Sequence, residues 1–498
     1  MRTGLRRDAS AMVTAIWAVV ISAGSLLADQ DAAVSADQNV RTARTTDQRI
    51  DQLEALIQVQ RAKIDALRAQ LDVVQQGTVD AVRTEEVRKV VRELLADTEF
   101  RETLYPDVTQ VGYDKGFYIK SADEDFLLKI NGFLKVRWTG QNRQTDNPRV
   151  QGRQRQDDIN GFEIEDLYMY FQGHIHTPKL TYSIVLTGDT DDAHEWNTYT
   201  AYINYEFAKE FQFVAGELKL PFGRQWLVSK SELQLIDRSL ATETFGLNRA
   251  VGAAVHGTVA GKLSYIVGVA NGVANRNDSP SQEELDTNFA YVARLVGHLL
   301  GGPIKDESDL AYSKDPQWEV ALSFGYNDDN GDRNPGAFYS IPERIRRGRG
   351  IGGNAVADLT GTDYFQWGAD TAFRWRGFSI AAEYFLRTVD GNSEYSPWEL
   401  RTGRDDATHQ QGGHIQAGYF IIPKKLEAVA RLGGVWDNGG DDTWEYVFGV
   451  NYFPWGSYNV LLQADFTRIE EAPATSTSGN WSQNDEVNMF RVQLQARF

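Results

Sequence analysis

From Gly116 to the C-terminus, the chain is a long series of segments in which apolar and polar residues alternate. A period of two is that of a β-strand with one apolar face and one polar face. Most of the segments are long enough to cross a bilayer at a tilt. The pattern predicts sixteen strands, at Phe126–Thr139, Glu163–His176, Leu180–Thr187, Tyr199–Phe207, Phe211–Glu217, Val251–Gly257, Leu263–Ala270, Phe289–Gly297, Trp318–Tyr326, Phe365–Trp375, Phe378–Thr388, His414–Ile421, Leu426–Trp436, Trp444–Phe453, Tyr458–Arg468 and Val487–Phe498.

The connections between these strands alternate between short and long. The short ones include Thr177–Lys179, Ala208–Glu210, Val259–Gly261, Arg376–Gly377, Pro423–Lys425 and Pro454–Gly456, and the long ones include Gln141–Asn160, Leu218–Ala250, Asn327–Tyr364 and Val389–Gly413. A closed up-and-down barrel with periplasmic turns and extracellular loops produces this alternation, whereas a two-sheet sandwich does not require it. The exception is His298–Pro316, which is either a long turn or a sign that the strand count slips by one hairpin.

The terminal strand fits the same fold. Its apolar residues, from Phe490 to Phe498, share one parity, and polar residues such as Arg491 and Gln493 hold the other. In an outer-membrane barrel the apolar face contacts lipid and the polar face lines the lumen. A final Phe also resembles the signal by which such barrels are recognised for insertion. Taken alone, this strand fits a soluble sheet as well as a barrel. The alternating connections favour the barrel.

Composition narrows the possible functions. The chain has 498 residues, no cysteine and a formal net charge of −18. The lack of cysteine excludes a disulfide scaffold and a thiolate metal site, and the acidic balance argues against a nucleic-acid partner. No catalytic triad, phosphate-binding glycine loop or metalloprotease motif occurs, so the sequence predicts no enzyme and no cofactor. We interpret His174 and His176 as polar lining of the lumen rather than as metal ligands.

The N-terminal part predicts export and a helical extension. Residues 1–28 have a basic start and an apolar run typical of a signal peptide, with Ala36 as a later cleavage point, and an uncleaved anchor is the alternative. A linker at 29–46 precedes a predicted coiled coil at 47–76, in which Ile50, Ile57 and Ile64 lie seven residues apart. A single amphipathic helix is the alternative there. Residues 77–111 are predicted to form a second amphipathic helix and linker, and the barrel is predicted to occupy 112–498.

Three stretches resemble the phosphate-selective porins O and P, a family of trimeric outer-membrane channels. The first runs from Lys115 to Gly132, and the third is the terminal strand. The second and most specific is Gly216–Gly223, which continues to Asp237–Leu240 and Asn248–Gly252. The likeness implies contact with outer-membrane lipid and a homotrimer. Asp237 stands where the family commonly has Glu, and the acidic net charge is a larger departure from an anion channel.

The resemblance also implies that the third loop, Leu218–Ala250, folds into the barrel and narrows it. Charges of both signs at such a constriction create a transverse field that selects among ions. The predicted constriction and anion-binding residues of this loop are Arg224, Lys230, Arg238 and Arg249, with Asp237 among their counter-charges. An ordinary surface loop with paired charges is the alternative.

Two further groups of basic residues are candidates for guiding anions. The fifth loop, Asn327–Tyr364, contains Arg344, Arg346, Arg347 and Arg349, whose guanidinium groups suit phosphate oxygens. Contact with lipopolysaccharide phosphates or with loop carboxylates is an equally open reading. On the first strand, Lys129, Lys135 and Arg137 have the parity opposite to the lipid face, so they are predicted to line the lumen wall.

The sequence therefore predicts a bacterial outer-membrane porin with a periplasmic coiled coil. It would pass small hydrophilic solutes by passive diffusion, and anions such as phosphate would be favoured. A general or weakly cation-preferring porin stays open because of the net charge of −18. An outer-membrane anchor whose coiled coil contacts the cell wall is a third possibility.

Overall fold

A computed structural model describes residues 109–144, 158–188, 196–272, 289–329, 362–391, 408–437, 442–472 and 485–498. Earlier in the chain it describes only Gln58 and Ala62, which are helical and exposed. The predicted signal peptide, most of the predicted coiled coil and the second helix thus lie outside the described residues. Contacts separate Pro106–Phe498 from the preceding residues as a compact unit, and this unit contains the strands.

The described strands are β1 Gln110–Tyr113, β2 Phe117–Lys120, β3 Phe126–Gln144, β4 Asp158–Ile175, β5 Thr177–Gly188, β6 Asn197–Ala208, β7 Phe211–Lys219, β8 Arg249–Val259, β9 Leu263–Ala270, β10 Ala290–Leu300, β11 Gln317–Asp329, β12 Thr362–Trp375, β13 Phe378–Gly391, β14 Thr408–Ile422, β15 Leu426–Asp437, β16 Thr443–Tyr452, β17 Val460–Glu470 and β18 Glu486–Arg497. From β3 to β18 each strand pairs antiparallel with the next, and β18 pairs with β3. The predicted closed barrel of sixteen antiparallel strands is confirmed.

The two faces of the barrel strands differ as alternation requires. Between β17 and β18, the cross-strand pair Phe466 and Phe490 faces outward and is exposed, as is Leu494. The pair Gln463 and Gln493 faces inward and is buried, and Gln493 Nε2 donates to Gln463 Oε1 at 3.1 Å. An apolar exterior around a polar interior is the arrangement of a transmembrane barrel.

A short hairpin precedes the barrel and was not predicted. Strands β1 and β2 pair with each other, and β2 pairs with β3 from Leu127 to Ile130. The edge of β3 continues at Gly132, which exchanges two backbone hydrogen bonds of 3.0 Å with Phe498. The C-terminus and the hairpin thus share one strand edge. Each hairpin strand has 4 residues, too few to give a clear alternation in the sequence.

The connection between β10 and β11 resolves the irregularity in the strand count. Strand β10 ends at Leu300 and β11 begins at Gln317, and the two strands pair directly, so the count of strands is right and the turn is long. We call residues 301–316 the inner turn, because Glu307, Ser308 and Asp309 are buried. In the described part of the chain, no helix is long and apolar enough to cross a membrane.

Candidate constriction site

The third loop, defined here as residues 220–248 between β7 and β8, lies inside the barrel. It contains helix α1 Arg224–Leu227, a 3-10 turn Lys230–Glu232 and helix α2 Leu240–Phe245. Inward side chains from widely separated strands donate to its carbonyl groups. Lys135 Nζ of β3 donates to the Lys230 oxygen at 2.8 Å, and Gln495 Nε2 of β18 donates to the Ser231 oxygen at 3.0 Å. The loop therefore crosses the lumen, as the family resemblance implied.

Glycines on the inner wall make room for the apolar side chains of this loop. Four inward glycines each lie against one loop side chain, so closely that an added Cβ would clash with it or press tightly on it. The pairs are Gly325 with Leu247, Gly368 with Phe222, Gly412 with Phe245 and Gly449 with Leu235. The rings of Phe222 and Phe245 also stack on Phe385 of β13. This packing buries apolar surface within a polar lumen and fixes the depth of the loop.

Helix α1 is fixed at its start by a wall carboxylate. Gly223 has a φ of 71°, a conformation that favours glycine, and it turns the chain into the helix. Glu383 of β13 then accepts hydrogen bonds from the backbone N–H groups of Arg224 at 2.9 Å and Gln225 at 2.5 Å. A carboxylate at a helix N-terminus satisfies donors that have no partner within the helix. This contact fixes the first turn of helix α1 to the barrel wall at β13.

Arg224 and Arg238, both predicted to bind anions in the pore, are buried and bonded to the protein. Arg224 donates to the carbonyl oxygens of Ile304 and Asp306, at 2.9 and 2.8 Å, and pairs with Glu319 at 2.9 Å. Arg238 donates to the carbonyl oxygens of Gln225 and Val228, at 3.2 and 3.1 Å. Both guanidinium groups thus bind carbonyl groups of the loop and the residues beside it, which gives them a role in holding the loop.

Asp237 lies between two arginines of the barrel wall. It accepts a hydrogen bond from Arg491 of β18, and Arg137 of β3 approaches its Oδ1 at 3.3 Å. Burial opposes ionisation of Asp237, but attraction by Arg491 and then Arg137 outweighs it and holds the pKa of Asp237 below its ordinary value. The predicted counter-charge is thus an ion-pair link between the loop and the wall.

A β-bulge in β4 supplies the remaining partners of the wall cations. Between β3 and β4 the register passes from Lys135–Asp166 to Val136–Ile164 and skips Glu165. Arg137 pairs with Glu165 at 2.6 Å as well as with Glu163 at 2.7 Å. Because the bulge adds one residue, acidic side chains on both sides of it reach the interior. Sequence alternation alone could not place them there.

The predicted wall cations face inward but are neutralised. Lys135 and Lys230 share the carboxylate of Asp166, at 3.1 and 2.7 Å, and Lys135 is only 2% exposed. Lys129 lies nearer the turn end of β3 and pairs with Asp114 at 3.3 Å. None of these three ammonium groups is an uncompensated charge in the structure.

Two cations at the base of the third loop differ from all of these. Lys219, the last residue of β7, and Arg249, the first of β8, are paired across the two strands and are half-buried. Within the described residues, neither has a carboxylate at ion-pair distance. Arg249 Nε donates to Thr200 Oγ1 at 3.0 Å, and its guanidinium carbon lies 3.4 Å from the ring centroid of Tyr199. Lys219 Nζ donates to the Val228 oxygen at 3.3 Å and lies 5.2 Å from the Trp226 ring centroid.

Comparison with known proteins connects this site to a family. Residues 136–295 match the model of the family described as phosphate-selective porin O and P. This part of the chain is similar to that family. It includes the whole third loop together with Lys219 and Arg249.

Solved structures with a similar fold include several outer-membrane proteins. A loop L8 deletion mutant of OmpT from Vibrio cholerae is 11% identical, with a TM-score of 0.48 over 75% of this chain and 100% of that chain. An anion-selective porin from Comamonas acidovorans is 9% identical, with a TM-score of 0.49 over 75% of this chain and 100% of that one. The channel DcaP of Acinetobacter baumannii is 11% identical, with a TM-score of 0.45 over 75% and 97%. No curated protein sequence matches this chain.

Several predicted site residues stay predictions. Arg344, Arg346, Arg347 and Arg349 of the fifth loop lie outside the described residues. Among the residues that are described, no three His, Asp or Glu side chains come together in an arrangement suited to a metal ion. Lys219 was missed as a site residue although it belongs to the most specific family stretch, because only the three-dimensional structure shows that no described carboxylate pairs with it.

Proposed function

We infer that this protein is an outer-membrane porin that passes small anions by passive diffusion, and that Lys219 and Arg249 form its anion-selecting pair. The observation that carries the proposal is the contrast in charge compensation. The other basic side chains of the inner wall and third loop described above face carboxylates within ion-pair distance, whereas these two have none among the residues that the structure describes. A compensated ion pair has a weak field at a distance, while two adjacent free cations attract anions to the constriction.

The surroundings of the pair strengthen its preference for an anion. The cations lie beside the aromatic rings of Tyr199 and Trp226, so their hydration is reduced and their field is less screened than in bulk water. Trp226 Nε1 is buried and has no hydrogen-bond partner among the described residues. A site that is rich in donors and poor in acceptors suits an oxyanion, and the planar guanidinium of Arg249 can bind two phosphate oxygens at once.

The route past the pair follows the side of the barrel formed by β6 to β8. Inward polar residues beneath the third loop on the opposite wall, such as Gln416 and Gln463, are buried. On β6 to β8, Asn204, Gln212 and His256 are half-buried and bond to one another, with distances of 3.0 Å from Asn204 to Gln212 and 2.8 Å from His256 to Asn204. This wall is therefore partly accessible to solvent, and an anion leaving Lys219 and Arg249 would next meet its uncharged hydrogen-bonding groups.

Reversal potential in a potassium chloride gradient tests the selectivity. We expect an anion-preferring wild type and a large loss of that preference in the double variant Lys219→Gln/Arg249→Gln. The matched control is Lys179→Gln/Lys262→Gln, which removes the same charge from two exposed positions, one near the start of β5 and one in the turn between β8 and β9. Equal shifts in both variants, or a cation-preferring wild type, would favour the general or weakly cation-preferring porin suggested by the net charge of −18.

Phosphate as the preferred anion is tested by adding it to single channels that conduct chloride. A charge-assisted hydrogen bond contributes about 1.5–3 kcal/mol, so Arg249→Gln should weaken phosphate block by roughly tenfold or more. Chloride currents that phosphate does not affect would leave an anion porin without phosphate preference.

We also propose that the porin is a homotrimer and that its coiled coil lies in the periplasm, where it contacts the cell wall. Deleting residues 47–76 separates a tether from a channel accessory. If the deletion weakens the cell envelope while leaving conductance intact, the coiled coil is a tether in addition to the channel. If it reduces the trimer on a native gel, the coiled coil supports assembly.

A further inference from the structure

The inner turn and the third loop enter the barrel from opposite ends and meet inside it. The third loop follows β7, on the end of the long connections, and the inner turn follows β10, on the end of the short turns. Ile304, Glu307 and Leu310 of the inner turn are buried, and this turn is longer than the other described turns at the same end. A turn that folds inward is expected to have partners there, because its backbone polar groups need them.

Glu307 joins two separate parts of the third loop to the wall. Its Oε1 accepts a hydrogen bond from Gln225 Nε2 at 2.9 Å, within helix α1. Its Oε2 accepts from the backbone N–H of Gln234 at 2.7 Å and from Gln416 Nε2 of β14 at 3.1 Å. One buried carboxylate thus satisfies three donors, each from a different segment of the chain.

The backbone of the inner turn binds the loop a second time. The guanidinium group of Arg224 donates to the carbonyl oxygens of Ile304 and Asp306. These contacts and those of Glu307 reach adjacent residues of helix α1, Arg224 and Gln225. The start of the third loop is therefore held by the inner turn on one side and by Glu383 of the wall on the other.

The inner turn is itself fixed to the barrel wall. Ser308 Oγ donates to Glu427 of β15 at 2.9 Å, and Asp309 accepts from the backbone N–H of Gly377 at 2.7 Å. Arg374 of β12 pairs with Asp306. The turn is thus anchored to β15, to β12 and to the short turn after β12, so it can act as a rigid support for the loop.

We propose that the inner turn sets the width of the passage by holding the third loop, with Glu307 as the positioning residue. The proposal rests on the channel function proposed above. Without the Glu307 carboxylate, the Gln234 N–H, the Gln225 amide and the Gln416 amide lose their shared acceptor, which favours positions of the loop that restore their hydrogen bonds. A loop that samples several positions makes the cross-section of the pore fluctuate.

Single-channel recording of the full-length protein tests this. In Glu307→Ala we expect several-fold more noise in the open-channel current and a changed mean conductance, while the folded barrel still shifts on a gel when heated. The matched control is Asp315→Asn, which removes the same charge from an exposed position of the same turn. Folded Glu307→Ala channels with the noise and conductance of the wild type would overturn the proposal.

A second variant keeps the test decisive if Glu307→Ala does not fold. The chain has no cysteine, so Glu307→Cys/Gln225→Cys carries the only two thiols. Cross-linking the two thiols with a reducible bifunctional reagent should lower the noise of the open-channel current, and a reducing agent should restore it. Current noise that does not change on cross-linking would contradict the proposal. A wild type without any conductance would instead contradict the channel function, so the two failures can be told apart.

Discussion

Asp237 of the third loop lies between Arg137 of β3 and Arg491 of β18, and it is the point where the loop is ion-paired to both closing strands of the barrel. The two arginines have other carboxylate partners on the wall, so Asp237 balances charge as well as position. Without the Asp237 carboxylate, Arg137 and Arg491 would share one negative partner fewer, and the net charge beside the loop would become more positive.

Asp237→Asn should therefore loosen the loop and increase anion preference. Breaking a buried ion pair costs about 3–5 kcal/mol, and the partial exposure of this carboxylate reduces the expected cost to roughly 1–2 kcal/mol. Reversal potential measures the preference, and the temperature of barrel unfolding on a gel measures the stability. Glu470→Gln, which removes a carboxylate from an exposed pair with Arg468, is the control. An unchanged unfolding temperature would contradict the role of Asp237.

The same carboxylate predicts a pH dependence with a definite sign. The pKa of Asp237 is lower in the folded porin than its ordinary value, so the unfolded chain takes up the proton first as the pH falls. Its stabilisation is complete above about pH 5 and declines below the ordinary Asp pKa of about 3.9. The gap in unfolding temperature between wild type and Asp237→Asn should be constant from neutral pH to about pH 5 and shrink in stronger acid. A gap that widens in acid would contradict the prediction.

The barrel could be predicted from sequence because its signal is local. Alternation along each strand and the alternating lengths of the connections are both readable without knowing any contact. Partners of the lumen charges are not local: Arg224 and Glu319 are 95 residues apart, and Arg491 and Asp237 are 254 residues apart. The sequence could therefore name basic residues near the pore, but it could not separate Arg224 and Arg238, which hold the loop, from Lys219 and Arg249.

One overlooked signal was present in the sequence. Gly325, Gly368, Gly412 and Gly449 all have the inward parity of their strands, in four different strands of the barrel. Glycines on the polar face of a strand mark close approach of another part of the chain. Together they indicate where the third loop packs, although the loop residue that meets each glycine depends on the folded path.

The glycine at 412 provides a direct test of this packing. A Cβ at this position would lie 2.5 Å from Cε2 of Phe245 and 2.8 Å from the Gly434 oxygen. Gly412→Ala should therefore displace helix α2 at a cost of about 1–3 kcal/mol, and conductance should change while the barrel remains closed. Gly161→Ala is the control, because a Cβ there meets nothing within 4 Å. Wild-type conductance in Gly412→Ala would show that the loop does not pack as described.

Arg224 and Arg249 lie near opposite ends of the third loop, and replacing them should have opposite effects on current noise and anion preference. Arg224→Gln removes the donor to the Ile304 and Asp306 carbonyl groups and leaves Glu319 buried with less compensation, which costs about 3 kcal/mol or more. We expect a noisier current and a lower unfolding temperature, with the preference for anions retained.

Arg249→Gln removes a cation that has no carboxylate partner among the described residues, so anion preference should fall while the open-channel current stays quiet. Reversal potential and current noise, measured on both variants in the same gradient, separate the two roles. If Arg224→Gln reduces anion preference with a quiet current, Arg224 faces the solute after all, as the sequence alone had predicted. If Arg249→Gln leaves the preference intact, the selecting charge lies elsewhere in the lumen.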